Sequence, residues 1–522
     1  MEASELVEFL SLRNYVPNEE QHRQMVELST LIATEFDSLD EVAKKVVLDT
    51  VKRAQKQRDP RMGIIAASLG YAVTGKSAYI KTALNRMSAF KGSAAQLVAN
   101  LNGLSRLRFT TSVGSSPEFD RLYSRTLILR LYGALLKQVK TVIKEHSVAI
   151  KDHFKPNNRV VIMTQQFVGR GHAPTIDCVE FARILIKEYG KDVLIVNTME
   201  LGPEYEGSFV PMAQFTTTPQ QPKLLWEGVE VDFWSNTADA FNDEGIIAST
   251  RKIEEFDPAA VIVVGGRCVL AELFTKRAFV FMYPTSREIP ITTSAYFHTW
   301  DEPDDTQRAL MKNEGLDRLH LFSRHPGFKP PEKTSTLTRA ELNIPEDDTV
   351  YVIAGMRLDS DVDGRFIAML EKVATHEKAH FAFVGIYEKY DTTIANNPIL
   401  GPKSNFVGFQ EDVMAFYEIC DIYLNPARHG AGSIIIFAQA AGLPTLSLRV
   451  GDSGAAAEGL PEIADYDHMA EIAIRLADDA GEYAKWQDMG YRSAQRLTSR
   501  GPLVEDIITA YEKFSVGELS SN

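Results

Sequence analysis

A glycine loop opens an apolar helical run in the stretch LNPARHGAGSIIIFAQAAGLPTLSL. A short apolar run ends at Asn425, a loop with Gly430 and Gly432 follows, and Ser433 stands where the helical run starts. The N–H groups in the first turn of a helix have no partner within the helix and favour a phosphate. We therefore predict that Asn425 and the loop from His429 to Ser433 bind the phosphates of a ligand. The alternative is an ordinary strand–helix turn with a serine cap.

A second glycine pair follows an earlier apolar run, in the stretch TQQFVGRGHAPT. Its glycines, the second of which is Gly171, allow a ligand to approach the backbone closely. His172 comes next, near the start of a helical run, where a neutral imidazole can act as a base or donate a hydrogen bond. We predict a ligand contact at Gly171 and a catalytic role for His172. The alternatives are a loop with a solvated histidine, or a base supplied by Asp177, Glu180 or His298.

An arginine follows a third apolar run, in IAGMRLDSDVDG. The guanidinium of Arg357 lies just past the end of this run, where it can pair with a diphosphate. The alternative is a surface arginine that pairs with Asp359 or Asp361. Neither this stretch nor the other two contains the GxGxxG fingerprint or a P-loop, and no cluster has the spacing of metal ligands.

These loops require a scaffold in which strands and helices alternate. From residue 158 onward, short apolar runs typical of buried strands alternate with amphipathic helical runs. This alternation predicts parallel sheets covered by helices on both faces. In open parallel sheets, ligands bind at the carboxyl ends of the strands, where the three loops are expected to lie.

Composition changes divide the chain into four segments. Residues 1–155 show helical periodicity without strand–helix alternation and predict an all-helical domain. A polar stretch with four prolines, RHPGFKPPEKTSTLTRAELNIPED, is typical of a linker and separates an α/β domain at 156–325 from another at 326–500. Residues 501–522 are predicted as a C-terminal helix and tail.

Charge and cysteine content exclude several classes of protein. The net charge of −14 argues against nucleic acid as the main partner, because binding to phosphate backbones requires a basic surface. The three cysteines have no metal-ligand spacing and fit a reducing compartment. No segment resembles a signal peptide or approaches the ~18 apolar residues of a membrane span. We therefore expect a cytoplasmic protein.

The whole arrangement resembles the GT-B glycosyltransferases over residues 158–516. The segment FVGFQEDVMAFYEICDIYLNPARHGAGSIIIFAQAAGLPTLSL is similar to their donor-nucleotide region. The resemblance implies two Rossmann-like domains that face a cleft. Residues 326–500 would bind the nucleotide-sugar, and residues 156–325 would lie on the acceptor side.

Departures from the common pattern of this family indicate which of its members the chain resembles most. Retaining members usually carry two glutamates at the positions of His429 and Phe437. The pattern of Asn-Pro, glycine loop and Ile-Ile is more similar to the cytoplasmic protein N-glycosyltransferases, relatives of the O-GlcNAc transferases. That resemblance implies an inverting enzyme with a helical N-terminal domain that uses a UDP-sugar without metal. Their early acidic residue is again Phe437 here, and the counterpart of their lysine near the diphosphate is Arg357.

The predicted function is a metal-independent transfer of a sugar from a nucleotide-sugar, in the first place a UDP-sugar, to a protein or glycan acceptor. Arg357 and the helix near Ser433 would stabilise the departing diphosphate, and no cofactor is expected. One alternative is a non-catalytic homologue that binds glycan or protein as partner of an active enzyme. Another is a sugar-nucleotide epimerase, which needs more acidic and histidine residues. The helical domain would recognise protein or form a homo-oligomer.

Overall fold

The structure is a computed structural model that describes residues 17–110, 124–168, 172–201, 207–210, 222–236, 241–428, 430–457 and 459–519. The described residues form two compact units. One contains the helical region, the first sheet up to Ser323 and the chain from Val504 onward. The other contains Arg324–Leu503. Each unit is built on one sheet, as the two alternating segments of the sequence predicted.

The helical region begins with amphipathic helices whose ends carry clear capping residues. Asp59 accepts hydrogen bonds from two N–H groups in the first turn after Pro60, and Gly75 ends the same helix in the left-handed conformation that glycine favours. This helix is buried along most of its length. The helices of the region are α1 (Glu19–Glu35), α2 (Glu41–Ala54), α3 (Pro60–Thr74), α4 (Ser77–Ala89), α5 (Ala94–Thr110) and α6 (Arg125–Glu145).

Polar contacts join these helices to the first sheet within one unit. Asn102 in α5 donates to the carbonyl oxygen of Glu200 over 2.5 Å. Arg125 at the start of α6 donates to the carbonyl oxygens of Ile289 and Pro290 and pairs with Glu314. The helical region and the sheet are therefore packed together.

The first sheet has eight strands among the described residues, in the order β3-β4-β2-β1-β5-β6-β7-β8. All pairings are parallel except that of β3 with β4, which is antiparallel. The strands are β1 (Arg159–Thr164), β2 (Asp192–Asn197), β3 (Lys223–Trp226), β4 (Val229–Ser235), β5 (Ala260–Val264), β6 (Phe279–Tyr283), β7 (Tyr296–Thr299) and β8 (His320–Ser323). The longer helices packed with it are α7 (Ala173–Tyr189), α8 (Asp243–Phe256) and α9 (Asp305–Glu314).

The second sheet is fully parallel, in the order β11-β10-β9-β12-β13. Its strands are β9 (Thr349–Gly355), β10 (Ala379–Gly385), β11 (Ser404–Gly408), β12 (Ile422–Asn425) and β13 (Thr445–Ser447). The core includes Tyr351, Phe381 and Phe383, all fully buried. The helices of this unit are α10 (Leu358–Asp361), α11 (Gly364–Val373), α12 (Val413–Tyr417), α13 (Gly432–Ala440), α14 (Gly451–Ala456), α15 (Tyr466–Asp478) and α16 (Ala480–Leu497).

The proline-rich segment before β9 is held by side chains of the second unit. The carboxylate of Asp412 accepts hydrogen bonds from the backbone N–H groups of Thr334 and Ser335 at 2.6 and 2.7 Å. Arg339 pairs with Asp421 over 2.8 Å. The sequence predicted a linker here, and its second half is anchored to the unit that it precedes.

The last helix, α17 (Gly501–Ser515), contacts the first unit from Val504 onward. The hydroxyl of Tyr511 donates to the carbonyl oxygen of Asn157 over 3.0 Å. The ring of Phe514 meets that of Phe154 edge to face, with 4.9 Å between centroids. Across the part of the chain that the structure describes, no helix combines the length and the apolar character that crossing a membrane requires.

Candidate functional site

The second sheet changes direction between β9 and β12. From β9 the chain adds β10 and β11 on one side, and then crosses to add β12 and β13 on the other. Ile422 and Tyr423 of β12 pair with Tyr351 and Val352 of β9. The carboxyl ends of these two strands are therefore adjacent at the switch point of the sheet, where open parallel sheets form a crevice for a ligand.

Two of the predicted residues meet at this switch point. Arg357 begins α10 just after β9, and Gly430 lies in the loop after β12. A Cβ on Gly430 would lie 3.5 Å from Nη2 of Arg357 and within 4 Å of no other non-neighbouring heavy atom of the described residues. The loop therefore passes close to the guanidinium, and a Cβ on Gly430 would make an ordinary van der Waals contact with it.

Asp359 and Asp361, the two acids that could pair with Arg357 at the surface, are hydrogen-bonded to other groups. Asp359 accepts from the backbone N–H groups of Glu388 and Lys389 at 3.2 and 2.6 Å, which ties the loop after β10 to α10. Asp361 is buried and pairs with Arg428 over 3.0 Å. Ion pairing to these two acids is therefore a weak account of why Arg357 follows β9.

Arg428 is the residue that sequence reasoning missed. Its Nη2 donates to the carbonyl oxygen of Ala354 in β9 over 2.8 Å and to Oδ1 of Asn425 in β12 over 2.7 Å. Its Nη1 pairs with Asp361, and a Cβ on Gly355 would collide with this atom. The arginine thus joins the ends of the two strands beneath the loop. It stands in the quoted NPARHG motif, but nothing in its spacing indicates burial.

Asn425, predicted as a ligand contact, is fully buried. Its Oδ1 accepts from Nε and Nη2 of Arg428, and its Nδ2 donates to Oγ of Ser447 over 3.1 Å. The amide is therefore occupied inside the unit and holds the loop in place.

The helix after the loop starts two residues earlier than a cap at Ser433 requires. Ala431 is the N-cap of α13, with φ 70° and no capping side chain, and Gly432 is its first residue. Ser433 is thus the second residue of the helix, which removes the reading of this serine as the cap. The first-turn N–H groups remain available to an anion, as the macrodipole also favours.

Gly432 has a packing role. A Cβ on it would lie 3.0 Å from the carbonyl oxygen of Asp452 in α14, closer than such contacts usually are. The glycine therefore allows α13 to approach α14, and a larger residue would disturb this packing before it reached a ligand. Gly430 is the better position for a test of ligand approach.

Apolar side chains are exposed at the ends of three neighbouring strands. Met356 follows β9, Ile386 follows β10 and Phe409 follows β11, with exposed fractions of 48%, 42% and 55%. The loops of the first two strands are linked, since the N–H of Ile386 donates to the carbonyl oxygen of Gly355 over 3.0 Å. Exposed apolar groups beside a cation and a helix N-terminus suit a ligand with an aromatic ring and phosphates.

In the first unit, His172 is the N-cap residue of α7 and is half-buried. Nε2 of its ring lies 3.1 Å from the amide nitrogen of Gln166, and Nδ1 lies 3.0 Å from Oγ1 of Thr175. The two ring nitrogens are thus held between the side chains of Gln166 and Thr175. Burial lowers the pKa of His172 from 6.5 to about 4, so the ring is neutral at pH 7.

The alternative bases lie in other environments. His298 is fully buried in β7, and its ring stacks with those of Phe281 and Tyr283. Glu180 accepts a 2.6 Å hydrogen bond from Nε1 of Trp226 and pairs with Arg183. Both have structural partners that a base would have to give up. The predicted contacts at Gly171 and His429 lie outside the described residues.

Residues 350–479 match the model of a family described as Glycosyl transferases group 1. The match covers the second sheet with the loops after β9 and β12, so the second unit is similar to the glycosyltransferases of this family. No curated protein shows significant similarity to the chain.

Several solved structures are similar in fold. A glycosyltransferase from Rickettsia africae ESF-5 has 15% identity and a TM-score of 0.46, and the alignment covers 69% of this chain and 99% of that chain. Anabaena HepE, solved with UDP, has 12% identity and a TM-score of 0.46 over 69% and 100% of the two chains. The O-GlcNAc transferase of Thermobaculum terrenum has 12% identity and a TM-score of 0.43 over 98% and 97%.

Proposed function

We propose that this protein transfers a sugar from a UDP-sugar to a protein acceptor without a metal ion. The observation that carries the proposal is the approach of Arg357 to Gly430 at the switch point of the second sheet. Two loops that are distant in sequence there present a guanidinium and the start of α13 to one small volume. The pair suits a diphosphate, because a guanidinium and helix N–H groups both favour phosphate oxygens.

The chemical role of this arrangement is to stabilise the leaving group. When the sugar departs, negative charge develops on the diphosphate, and fixed positive groups lower the energy of that transition state. Arg357 supplies a full charge and α13 supplies the partial charge of its N-terminus. The nucleobase would lie against the apolar surface formed by Met356, Ile386 and Phe409.

Acceptor chemistry is assigned to the first unit. His172 would orient the acceptor hydroxyl or amide, or remove its proton. A protein acceptor is proposed from the resemblance to the protein N-glycosyltransferases, and the helical region would take part in its recognition. We place the protein in the cytoplasm, since Cys178, Cys268 and Cys420 are buried free thiols that fit a reducing compartment.

The alternative function is that of a non-catalytic binding protein, and it is supported by two positions that differ from the retaining glycosyltransferases. His429 and Phe437 stand where those enzymes carry glutamates. A non-catalytic homologue would bind UDP in the second unit without turnover. Incubation of the full chain with UDP-, GDP- and dTDP-sugars, followed by measurement of released nucleotide, separates the two. Release of UDP above the uncatalysed rate supports the enzyme, and UDP binding without release supports the binding protein.

We expect the Gly430→Val variant to bind UDP at least ~10-fold more weakly, or about 1.4 kcal/mol. The valine methyl groups would extend into the space beside Nη2 of Arg357, where the diphosphate is proposed to lie. Calorimetry with UDP measures the change. Gly364→Ala is the matched control, because a Cβ there meets no atom within 4 Å in the part of the chain that the structure describes and should leave affinity unchanged. Equal affinities in the valine variant and the wild type would contradict the site.

Turnover should survive an excess of EDTA. The reason is that Arg357 and the start of α13 supply the positive charge that a divalent ion supplies in metal-dependent transferases. The measurement is UDP release before and after chelation. A complete loss of activity that Mg²⁺ or Mn²⁺ restores would show that a metal carries the charge instead.

A further inference from the structure

We infer that Arg267 forms an anion-binding site at the carboxyl edge of the first sheet and that the acceptor carries a carboxylate or phosphate group there. The second half of this inference rests on the proposed function, which assigns the acceptor to the first unit. The first half rests on the contacts of Arg267 alone.

Arg267 lies at a position in the fold where ligand-binding residues are commonly found. In the first sheet the chain adds β2 and β4 on one side of β1 and then crosses to place β5 on the other. The switch point lies between β1 and β5, and Arg267 follows β5 by three residues. Ligands of open parallel sheets bind in the crevice at such a point.

Two neutral groups hold the guanidinium. Nη1 donates to Oγ of Ser105 over 2.9 Å, and Nη2 donates to Oδ1 of Asn102 over 2.8 Å. Its Nε is buried and has no hydrogen-bond partner among the described residues. Five N–H groups are present on a guanidinium, so three of them are not bonded to described groups.

A buried acid, Glu200, holds the loop that carries Arg267. Glu200 is buried, and its Oε2 accepts from the backbone N–H of Val269 and from Gln165 at 3.0 and 3.2 Å. Its Oε1 accepts from the thiol of Cys268 and from the N–H of Leu270 at 3.0 and 3.2 Å. This carboxylate therefore holds the loop after β5 in place, and it forms no direct ion pair with Arg267.

Two other partly or fully buried arginines of the same unit are paired with acids. Arg277 pairs with Glu254 and Asp257 at 3.0 and 2.8 Å, and Arg125 pairs with Glu314 at 2.7 Å. Charged side chains removed from water usually have such partners, because an uncompensated charge is costly to bury. Arg267 is half-buried, and no ion pair joins it to any described acid. An anionic group of a ligand would complete its coordination.

Space for the anion is provided by the preceding glycines. Gly265 has φ 154°, a conformation that side chains rarely adopt, and a Cβ on Gly266 would meet no atom of the described residues within 4 Å. The backbone before Arg267 is thus open on the side where Gly266 would carry its side chain. A carboxylate or phosphate can accept two parallel hydrogen bonds from one guanidinium, which gives such a site its geometry.

The test measures modification of Arg267 by phenylglyoxal, followed by peptide mass spectrometry of the full chain. Inorganic phosphate in one arm and acetate in the other should slow modification of Arg267 at least ~3-fold in the presence of excess UDP. The exposed Arg308 is the internal control and should react at an unchanged rate. Protection by phosphate alone or by acetate alone identifies the anion. No protection by either, or no reaction of Arg267 under any condition, overturns the inference.

A variant pair separates anion binding from a purely structural role. Arg267→Gln keeps a donor for Asn102 and Ser105 but removes the charge, whereas Arg267→Lys keeps the charge. With phosphorylated and unphosphorylated forms of one peptide acceptor, and with carboxylate and amide forms of another, the glutamine variant should raise KM for the anionic form at least ~10-fold. It should leave kcat and UDP affinity unchanged, and lysine should restore part of the KM. Equal KM changes for charged and neutral acceptors would contradict the inference.

Failure of the proposed function gives a different pattern. If UDP does not bind the second unit while phosphate still protects Arg267, the proposed transferase fails and the anion site stands. If UDP binds and is released from a UDP-sugar while neither anion protects Arg267, the transferase stands and the anion site fails.

Discussion

Replacing Arg428 with methionine should lower the free energy of unfolding of the second unit by about 3–5 kcal/mol, the usual cost of leaving one charge of a buried pair without its partner. The side chains of Arg428 and Asp361 expose only 3% and 8% of their area. Loss of the guanidinium would also leave Oδ1 of Asn425 without two donors. Hydrogen exchange measured on peptides from β9 and β12 reports the local free energy.

UDP affinity should fall together with this stability. Arg428 joins the carbonyl oxygen of Ala354 in β9 to Asn425 in β12, so its loss would let the two loops of the proposed diphosphate site separate. Arg365→Met is the matched control, because that arginine pairs with Asp363 at the surface with 80% of its side chain exposed. Surface pairs contribute ~1 kcal/mol or less. Wild-type exchange rates in the Arg428 variant would refute the anchoring role.

The double variant Arg428→Met with Asp361→Asn tests the pair itself. Removing both charges avoids an isolated buried carboxylate, so the double variant should be more stable than Arg428→Met alone. Additive losses from the two single changes would show that the pair is not the source of the effect.

His172→Ala should lower turnover by roughly 10²-fold or more, the usual contribution of a general base or an orienting hydrogen bond. UDP affinity should change little, because the proposed nucleotide site belongs to the second unit. Nε2 is in hydrogen-bond contact with the Gln166 amide, so the acceptor would have to displace that amide to reach Nε2. Initial rates of UDP release, with UDP affinity measured in parallel, test the expectation.

The protonation of His172 also predicts how turnover depends on pH. The neutral ring is the active form, and burial lowers its pKa to about 4. Turnover should therefore stay constant from pH 8 down to about pH 5, as far as His172 is concerned, and fall as the pH approaches 4. A loss of activity centred near pH 6.5 that disappears in His172→Ala would show that the ring titrates as if exposed. Near-normal turnover of the variant would show that His172 has no catalytic role. Loss of UDP binding would show that His172 contacts the nucleotide-sugar donor.

Strands of apolar composition could be predicted from the sequence, and strands of mixed composition could not. The apolar runs at Ala260–Val264 and Ala379–Gly385 are buried at every position, as their composition predicted. The β3–β4 hairpin was missed, because no residue of the four-residue strand β3 is buried and every second residue of β4 faces solvent or lies half-buried. Strand β7 was missed because it lies within a polar and aromatic stretch that resembles a loop.

The sequence by itself determined the two parallel sheets, the loops that end their strands and the meeting of a glycine loop with a helix, because these follow from local periodicity and turn composition. It did not determine the environment of an arginine. Arg267, Arg357 and Arg428 each follow a strand, but one is held by neutral groups, one approaches a glycine and one is buried against an acid. The partners lie 165 residues from Arg267 and 67 residues from Arg428 along the chain. Only the tertiary structure brings such groups together, and burial and charge pairing are properties of that arrangement.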